Sequence, residues 1–231
     1  TEPLDVCPEG YYCPGGQRIG EEYACPPGKF CPLGSDDPIE CAPGFHQNET
    51  AQANCSACPA GMYCDASSET ARVDGLPCPE GYYCPVGTAS YAQFPCPPAT
   101  FSNTTRLVNI SQCTPCSPGS YCASEHLTAP TGLCAEGYFC RNGSNTATPG
   151  LENPFLSCAD SCPDSELAGS VCPVGHFCPE GSSSPQPCPR GSFGNSTMLS
   201  RSSQCHSCTP GYFCPNVGMV EPVDACVSGY Y

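Results

Sequence analysis

The sequence predicts a fold class of small disulfide-rich tandem repeats, forming an elongated rod of turns and short two-stranded β segments with almost no helix. Three observations predict it. The chain of 231 residues contains 25 Cys, a density typical of a disulfide scaffold made in an oxidising compartment. Its 29 Pro and 24 Gly leave no stretch suited to a helix of ordinary length. A Cys-containing heptapeptide recurs along the chain, which indicates units that contact mainly their neighbours.

The composition also excludes several kinds of partner. The net charge is −15, with only 7 Lys and Arg residues, so nucleic-acid binding through phosphate contacts and attraction to an anionic membrane are not expected. No apolar run is long enough to cross a bilayer and no signal peptide is evident, so we expect no membrane insertion by this segment. Without Trp and with few aliphatic residues, cross-links must replace a large core. The expected location is extracellular, at the cell surface or secreted.

The heptapeptide consists of a Cys, three residues ending in Gly, two further residues and a second Cys position. The residue before this last position is Tyr or Phe in every copy. The copies begin at Cys7, Cys25, Cys58, Cys78, Cys116, Cys134, Cys172, Cys208 and Cys226.

Each position of the heptapeptide has a physical interpretation. The constant Gly suits a turn with positive φ. The constant aromatic residue is expected to pack on disulfide sulfur, the main apolar mass available. The variable residue before it is expected to face solvent or a partner. Where that residue is Tyr, we expect contacts between subunits, at Tyr11, Tyr82, Tyr138, Tyr212 and Tyr230.

A second element opens at Cys41, Cys96 and Cys188, and each copy ends in a C-x-x-C pair. Together the two elements make a unit of six Cys, and one unit is shortened. The predicted organisation is the end of a preceding repeat (1–24), full repeats (25–77, 78–133 and 172–225), a shortened irregular repeat (134–171) with an open loop (141–157), and the start of a further repeat (226–231). The odd Cys count is therefore expected to reflect a truncated array and not a reactive thiol.

No metal, cofactor or catalytic site is expected. The C-x-x-C pairs would suit zinc or redox chemistry in another context, but each lies inside a longer series of Cys, which favours disulfides. The acidic clusters 35–37 and 160–166 leave two interpretations open, a calcium site or solvated acid, and solvated acid is favoured because no EF-hand loop is present. The four His residues lie at unrelated points, so enzyme activity is not expected.

N-linked glycans are expected on exposed loops. Sequons of the form Asn-x-Ser/Thr predict attachment, and none lies inside a heptapeptide. They occur at Asn48, Asn54, Asn103, Asn109, Asn142 and Asn195. The middle position of the Asn54 sequon is Cys55, so attachment is least expected at this sequon.

The runs from Cys78 to Pro85 and from Cys96 to Cys116 resemble the ephrin-receptor-like cysteine-rich repeats, and are also similar to tumour necrosis factor receptor cysteine-rich domains. The resemblance covers nearly the whole chain except 141–157, and implies a cell-surface repeat protein. It also implies a pairing rule of a simple loop followed by two interleaved bridges. The simple loops are Cys41–Cys55, Cys96–Cys113 and Cys188–Cys205.

The interleaved bridges implied by the resemblance leave Cys214 unpaired. They are Cys7–Cys25, Cys13–Cys31, Cys58–Cys78, Cys64–Cys84, Cys116–Cys134, Cys122–Cys140, Cys158–Cys172, Cys162–Cys178 and Cys208–Cys226. The alternative is that the two cysteines of each heptapeptide bond each other. A Cys78–Cys84 bridge would establish this alternative and exclude the interleaved scheme.

Two functions from different classes remain open. The first is a structural subunit of a cell-surface filament, flagellar hair or glycocalyx fibre, whose partners are copies of itself or related repeat proteins. The second is a receptor or adhesin ectodomain, in which the irregular region 141–171 would bind a protein ligand. The repeat period and the sequons favour the first.

Overall fold

The computed structural model of the chain describes residues 6–16, 23–67, 69–150, 168–223 and 225–226. The chain divides into two compact units, one formed by 1–96 with 102–113 and the other by 97–101 with 114–231. The predicted fold class is confirmed in its local architecture: short two-stranded antiparallel sheets, many disulfides and almost no helix. The elongated rod and the repeat boundaries stay predictions.

The first unit contains three two-stranded sheets. Each strand of these sheets has two residues. The sheets pair β1 (Lys29–Phe30) with β2 (Ile39–Glu40), β3 (Phe45–His46) with β4 (Ser56–Ala57), and β5 (Met62–Tyr63) with β6 (Leu76–Pro77).

The second unit contains five such sheets, of which one is longer. They pair β7 (Thr100–Phe101) with β8 (Thr114–Pro115), β9 (Ser120–Tyr121) with β10 (Gly132–Leu133), β11 (Tyr138–Cys140) with β12 (Gly169–Val171), β13 (His176–Phe177) with β14 (Gln186–Pro187), and β15 (Ser192–Phe193) with β16 (His206–Ser207). The β11–β12 sheet has three residues in each strand.

Helical structure is limited to short segments. The single α-helix of the described residues, α1, spans Glu69–Val73 and packs on β3. Short 3₁₀ turns occur at Pro14–Gly16, Tyr91–Gln93, Ile110–Gln112 and Ser202–Gln204.

A turn that begins at a Cys, here called the cysteine turn, recurs through both units. The residue three positions after its first Cys has positive φ in every described copy, which confirms the predicted role of the heptapeptide Gly. The same turn also opens at Cys41, Cys96 and Cys188, where the sequence predicted a separate element. Its left-handed residues are Gly10, Gly28, Gly44, Gly61, Gly81, Ala99, Gly119, Gly137, Gly175, Gly191 and Gly211.

Successive cysteine turns are joined by a repeating series of backbone hydrogen bonds, here called the ladder. In the first unit, the N–H of Cys25 donates to the carbonyl of Gly10 over 2.9 Å, and the N–H of Gly10 donates to the carbonyl of Cys31 over 2.8 Å. In the second unit, the corresponding bonds join Cys134 to Gly119 (2.9 Å) and Gly119 to Cys140 (2.8 Å). Because these bonds use only main-chain groups, side chains between the turns are free to vary.

The pairing of the heptapeptide cysteines in the interleaved scheme is wrong. Each described heptapeptide that has both cysteines closes on itself, and the bridges are Cys7–Cys13, Cys25–Cys31, Cys58–Cys64, Cys78–Cys84, Cys116–Cys122, Cys134–Cys140, Cys172–Cys178 and Cys208–Cys214. The left-handed residue folds the seven residues back on themselves, which brings the two Cα atoms of Cys78 and Cys84 to 5.9 Å, a separation that suits a disulfide.

The simple loops Cys41–Cys55, Cys96–Cys113 and Cys188–Cys205 are confirmed. The prediction that Cys214 is unpaired is wrong, because it bonds Cys208 in the same turn. Within the described residues it is Cys226 that has no disulfide partner. The two cysteines at 158 and 162 lie outside the described residues.

The buried apolar residues are almost all half-cystines, as expected for a chain in which cross-links replace a core. The exceptions among described residues are Leu107, Tyr138 and Phe139. Tyr83 packs against the Cys96–Cys113 disulfide, and Phe139 packs against Cys172–Cys178. In these two turns the predicted contact of the constant aromatic residue with sulfur is confirmed, and the disulfide contacted belongs to the following turn.

Candidate interaction surfaces

The tyrosines predicted at subunit contacts differ in their accessibility. Tyr212 is 50% exposed. Tyr11 is half-buried and forms a β-bridge with Ala24, and Tyr82 is half-buried with its ring centroid 5.2 Å from that of Tyr91. Tyr230 lies outside the described residues. Tyr212, and in part Tyr11 and Tyr82, therefore have surface available to a partner.

Tyr138 does not face solvent, contrary to the prediction, because only 5% of it is exposed. The β11–β12 sheet places it opposite Val171, and it packs with the Cys134–Cys140 disulfide. Its hydroxyl lies 4.0 Å from the Met198 sulfur, to which it donates a weak hydrogen bond. Val171 on β12 therefore supplies one of the neighbours that bury this ring.

A cluster of three tyrosines lies in the first unit. The ring of Tyr91 meets the rings of Tyr63 and Tyr82 edge-on, with centroids 5.3 and 5.2 Å apart, a favourable geometry for aromatic pairs. Burial raises the pKa of Tyr63, and the nearby charge of Asp65 and the Tyr91 phenol raise it further. The Tyr63 phenol is therefore uncharged at neutral pH and contributes apolar contact area with a polar edge.

The irregular region, predicted as an open loop over 141–157, is described in its first ten residues and again from 168. The turns on either side of it are hydrogen-bonded as direct neighbours: the N–H of Cys172 donates to the Gly137 carbonyl (2.8 Å) and the N–H of Gly137 to the Cys178 carbonyl (2.8 Å). The region is therefore an insertion at one junction of the ladder, and does not interrupt it.

A cleft with a volume of about 310 Å³ lies beside this insertion. Its walls come from β11 and β12 and from two prolines, Pro173 and Pro185. Phe139 and Arg141 also line it, and the Arg141 guanidinium lies 5.6 Å from the Phe139 ring centroid, within cation–π range. The cleft thus combines an apolar surface with one cationic side chain.

All six predicted glycan acceptors are exposed: Asn48, Asn54, Asn103, Asn109, Asn142 and Asn195. The Asn109 side chain also caps a 3₁₀ turn, because its Oδ1 accepts a hydrogen bond from the Ser111 N–H over 3.0 Å. Exposure of the folded side chain is the condition under which an attached glycan is compatible with the fold.

The sequence interpretation missed the residues that replace the second Cys in three cysteine turns. Gln47, Ser102 and Gly194 stand six residues after Cys41, Cys96 and Cys188, and all three are buried. The C-x-x-Gly start of two of these turns could have revealed the equivalence, but the third has Ala99 at the Gly position and its φ of 73° is not visible in sequence.

The cysteines of the first C-x-x-C pair form disulfides, because Cys55 bonds Cys41 and Cys58 bonds Cys64. Among the described residues, no group of three or more His, Cys, Asp or Glu side chains is arranged to hold a metal ion. The acidic positions 160–166 lie outside the described residues. Asp36 and Asp37 are exposed.

In the part of the chain that the structure describes, no helix has the length and hydropathy needed to cross a bilayer. The cross-linked cysteines indicate an oxidising, extracellular environment, because such bonds are not maintained in reducing compartments.

No protein-family model matches the chain, and no curated protein matches it. The resemblance to ephrin-receptor-like and tumour necrosis factor receptor repeats therefore rests on the motifs alone. The structure is that of a cysteine-rich repeat protein with many disulfides and short two-stranded sheets.

Proposed function

We propose that the chain is a structural protein of the cell surface, a glycosylated and disulfide-stapled subunit of a filament, flagellar hair or glycocalyx fibre. The observation that carries the proposal is the backbone hydrogen-bond ladder between successive cysteine turns. A ladder of main-chain bonds can repeat along the chain whatever side chains lie between the turns, so it suits an array that serves as a scaffold. In this role the chain needs no catalytic residue and no cofactor.

Self-association and glycosylation belong to the same proposal. The partners are copies of this chain or related repeat proteins, contacted through exposed aromatic positions such as Tyr212. The exposed sequons support N-linked glycans on the loops. The net charge of −15 keeps the surface soluble and disfavours unspecific aggregation.

The test is electron microscopy of native material. An antibody raised against the folded chain, with disulfides intact, is used for immunogold labelling of cells of the source organism, and the labelled material is purified for negative staining. We expect label along ordered polymers. Label on isolated monomers embedded in the membrane contradicts the proposal.

A second candidate function, a receptor or adhesin ectodomain, is favoured by the cleft beside the insertion. Its test is saturable binding of fluorescently labelled chain to the same cells. Ser170 lines the cleft and is partly buried, whereas Ser184 is exposed outside it. A receptor role predicts that Ser170→Arg abolishes binding and that the control Ser184→Arg does not. Equal binding by both variants contradicts this second candidate.

A further inference from the structure

We infer that Asn48, Asn103 and Asn195 are three copies of one N-glycan attachment position, created where a cysteine turn has lost its second Cys. The inference deepens the glycosylation in the proposed function and depends on its secretion, but not on polymer formation.

The three positions are equivalent in the turn. Each Asn directly follows the residue that replaces the second Cys, so it stands seven residues after Cys41, Cys96 or Cys188. In turns that keep the second Cys, none of the described copies has Asn there. That place is taken by Pro14, Pro32, Asp65, Pro85, Ala123, Arg141, Pro179 and Pro215.

The residue before each Asn is fixed in the ladder. The N–H of Gly28 donates to the Gln47 carbonyl over 2.7 Å, and the N–H of Gln47 donates to the Arg72 carbonyl over 2.9 Å. In the same way the N–H of Gly194 donates to the Met219 carbonyl over 2.8 Å. The Asn that follows is exposed, so the chain leaves the ladder at the attachment residue.

The residue in place of the Cys also shapes the sequon. Gln47, which is 7% exposed, accepts a hydrogen bond at Oε1 from the Glu49 N–H over 3.0 Å. Ser102, 2% exposed, accepts at Oγ from the Thr104 N–H over 3.2 Å. Glu49 and Thr104 are the middle residues of the two sequons, so a buried side chain holds the same sequon position in both.

The disulfides of these three turns enclose longer loops, which leaves space for a glycan. Since the second Cys is lost, Cys41 bonds Cys55, and the loop between them spans 14 residues of sequence in place of 6. The corresponding separations at Cys96 and Cys188 are both 17 residues. The attachment residue lies within this longer loop and not in the tight turn.

The same three sequons differ from the other three in their third residue, which carries the hydroxyl group. Asn48, Asn103 and Asn195 are followed two residues later by Thr. The other three are followed by Ser, at Ser56, Ser111 and Ser144. The β-branched side chain of Thr has fewer χ1 conformers than Ser, so its hydroxyl is held closer to one orientation when the acceptor is recognised.

The reaction is a transfer from a lipid-diphosphate-linked oligosaccharide. The Asn carboxamide nitrogen forms a bond to the anomeric carbon of the sugar, the bond from that carbon to the diphosphate oxygen breaks, and the nitrogen gives up one proton. At Asn54 the middle residue is Cys55, whose disulfide with Cys41 competes with this reaction.

The test measures occupancy at each site on the full chain secreted from animal cells. Glycans are removed enzymatically in ¹⁸O water, which marks each formerly occupied Asn by mass. We expect occupancy above about four-fifths at Asn48, Asn103 and Asn195, and lower occupancy at Asn54. Any one of the three being mostly empty in folded, secreted protein overturns the inference.

Paired variants separate glycan loss from damage to the fold. Asn103→Gln and Thr105→Ala remove the same sequon through different residues, and each is expected to lower the mass by one glycan while the Cys96–Cys113 bridge still forms. If only Asn54, Asn109 and Asn142 carry sugar, this inference fails and the proposed function stands. If all six sites are empty, both fail.

Discussion

Residues with positive φ differ in how closely another segment of the chain approaches them. A Cβ atom added at Gly61 would lie 2.7 Å from the carbonyl oxygen of Arg106, whereas one added at Gly87 would meet nothing within 4 Å. Both glycines have a φ of 80°. Ala99 has φ 73° with its own Cβ, so a left-handed backbone alone does not require Gly in this array, but a close approach does.

This pair of glycines gives a matched prediction. Both Gly61→Ala and Gly87→Ala place an Ala in the left-handed conformation, which destabilises the fold by about 1–2 kcal/mol in each case. Only Gly61→Ala also adds a steric overlap, which destabilises the fold by about 1–3 kcal/mol more. We expect a lower urea midpoint for Gly61→Ala, measured by tyrosine fluorescence with disulfides intact. Equal midpoints would show that the close approach between turns does not matter.

At the scale of elements, each cysteine turn is a self-closed loop, and the ladder joins one loop to the next. The irregular region shows that the two features are independent. Cys140 donates its N–H to the Ser182 carbonyl over 2.9 Å, so the Cys134 and Cys172 turns are neighbours whatever the length of the chain between them. The ladder therefore tolerates an insertion at this junction.

The corresponding prediction is that residues 151–167 can be deleted without loss of the fold. The deletion roughly halves the connection 141–171, which stabilises the second unit by about 0.6 kcal/mol through loop entropy, and it removes two cysteines together. The melting temperature is expected to stay constant or rise slightly by calorimetry.

A control at the same junction is Gly137→Ala, whose Cβ would lie 2.9 Å from the Met198 carbonyl oxygen at a φ of 81°. It is expected to lower the melting temperature, because it strains the ladder itself. A deletion variant that melts below Gly137→Ala would mean that the insertion supports the fold.

At the scale of the whole molecule, the described disulfides determine which parts of the chain are covalently joined. Every one of them closes within a single turn or its following loop, and successive turns are therefore held together by the main chain and by hydrogen bonds. The interleaved scheme would instead join neighbouring turns covalently. The two schemes differ in which proteolytic fragments stay connected.

Tryptic digestion distinguishes the two disulfide schemes, because trypsin cleaves after Arg72 and Arg106, which lie outside the cysteine turns. After Cys226 is blocked with iodoacetamide and the chain is deglycosylated and denatured, we expect fragment 73–106 to remain linked to 107–141 through Cys96–Cys113 alone. It is expected to separate from fragment 30–72. A mass that joins 30–72 to 73–106 before reduction would contradict the described bridges Cys58–Cys64 and Cys78–Cys84.

The sequence by itself determined the compartment, the repeat and the turn. Cys density predicts cross-linking because a chain with so little aliphatic surface has no other source of stability, and the fixed Gly predicts a left-handed turn because other residues rarely adopt one. The simple loops followed from a resemblance whose interleaved bridges were wrong.

Only the tertiary structure decided which cysteine meets which, and which residues are equivalent in different turns. Pairing depends on distances in space, and the separation of Cys78 from Cys84 follows from the conformation of Gly81 between them and not from spacing. Likewise Tyr138 is buried beside β12, a strand that comes much later in the chain and pairs Val171 with it. Gln47 and Ser102 occupy the position of the second Cys because their main-chain groups form the same ladder bonds that this Cys forms elsewhere. Since main-chain bonds do not depend on residue type, the residue types at these two positions do not reveal this equivalence.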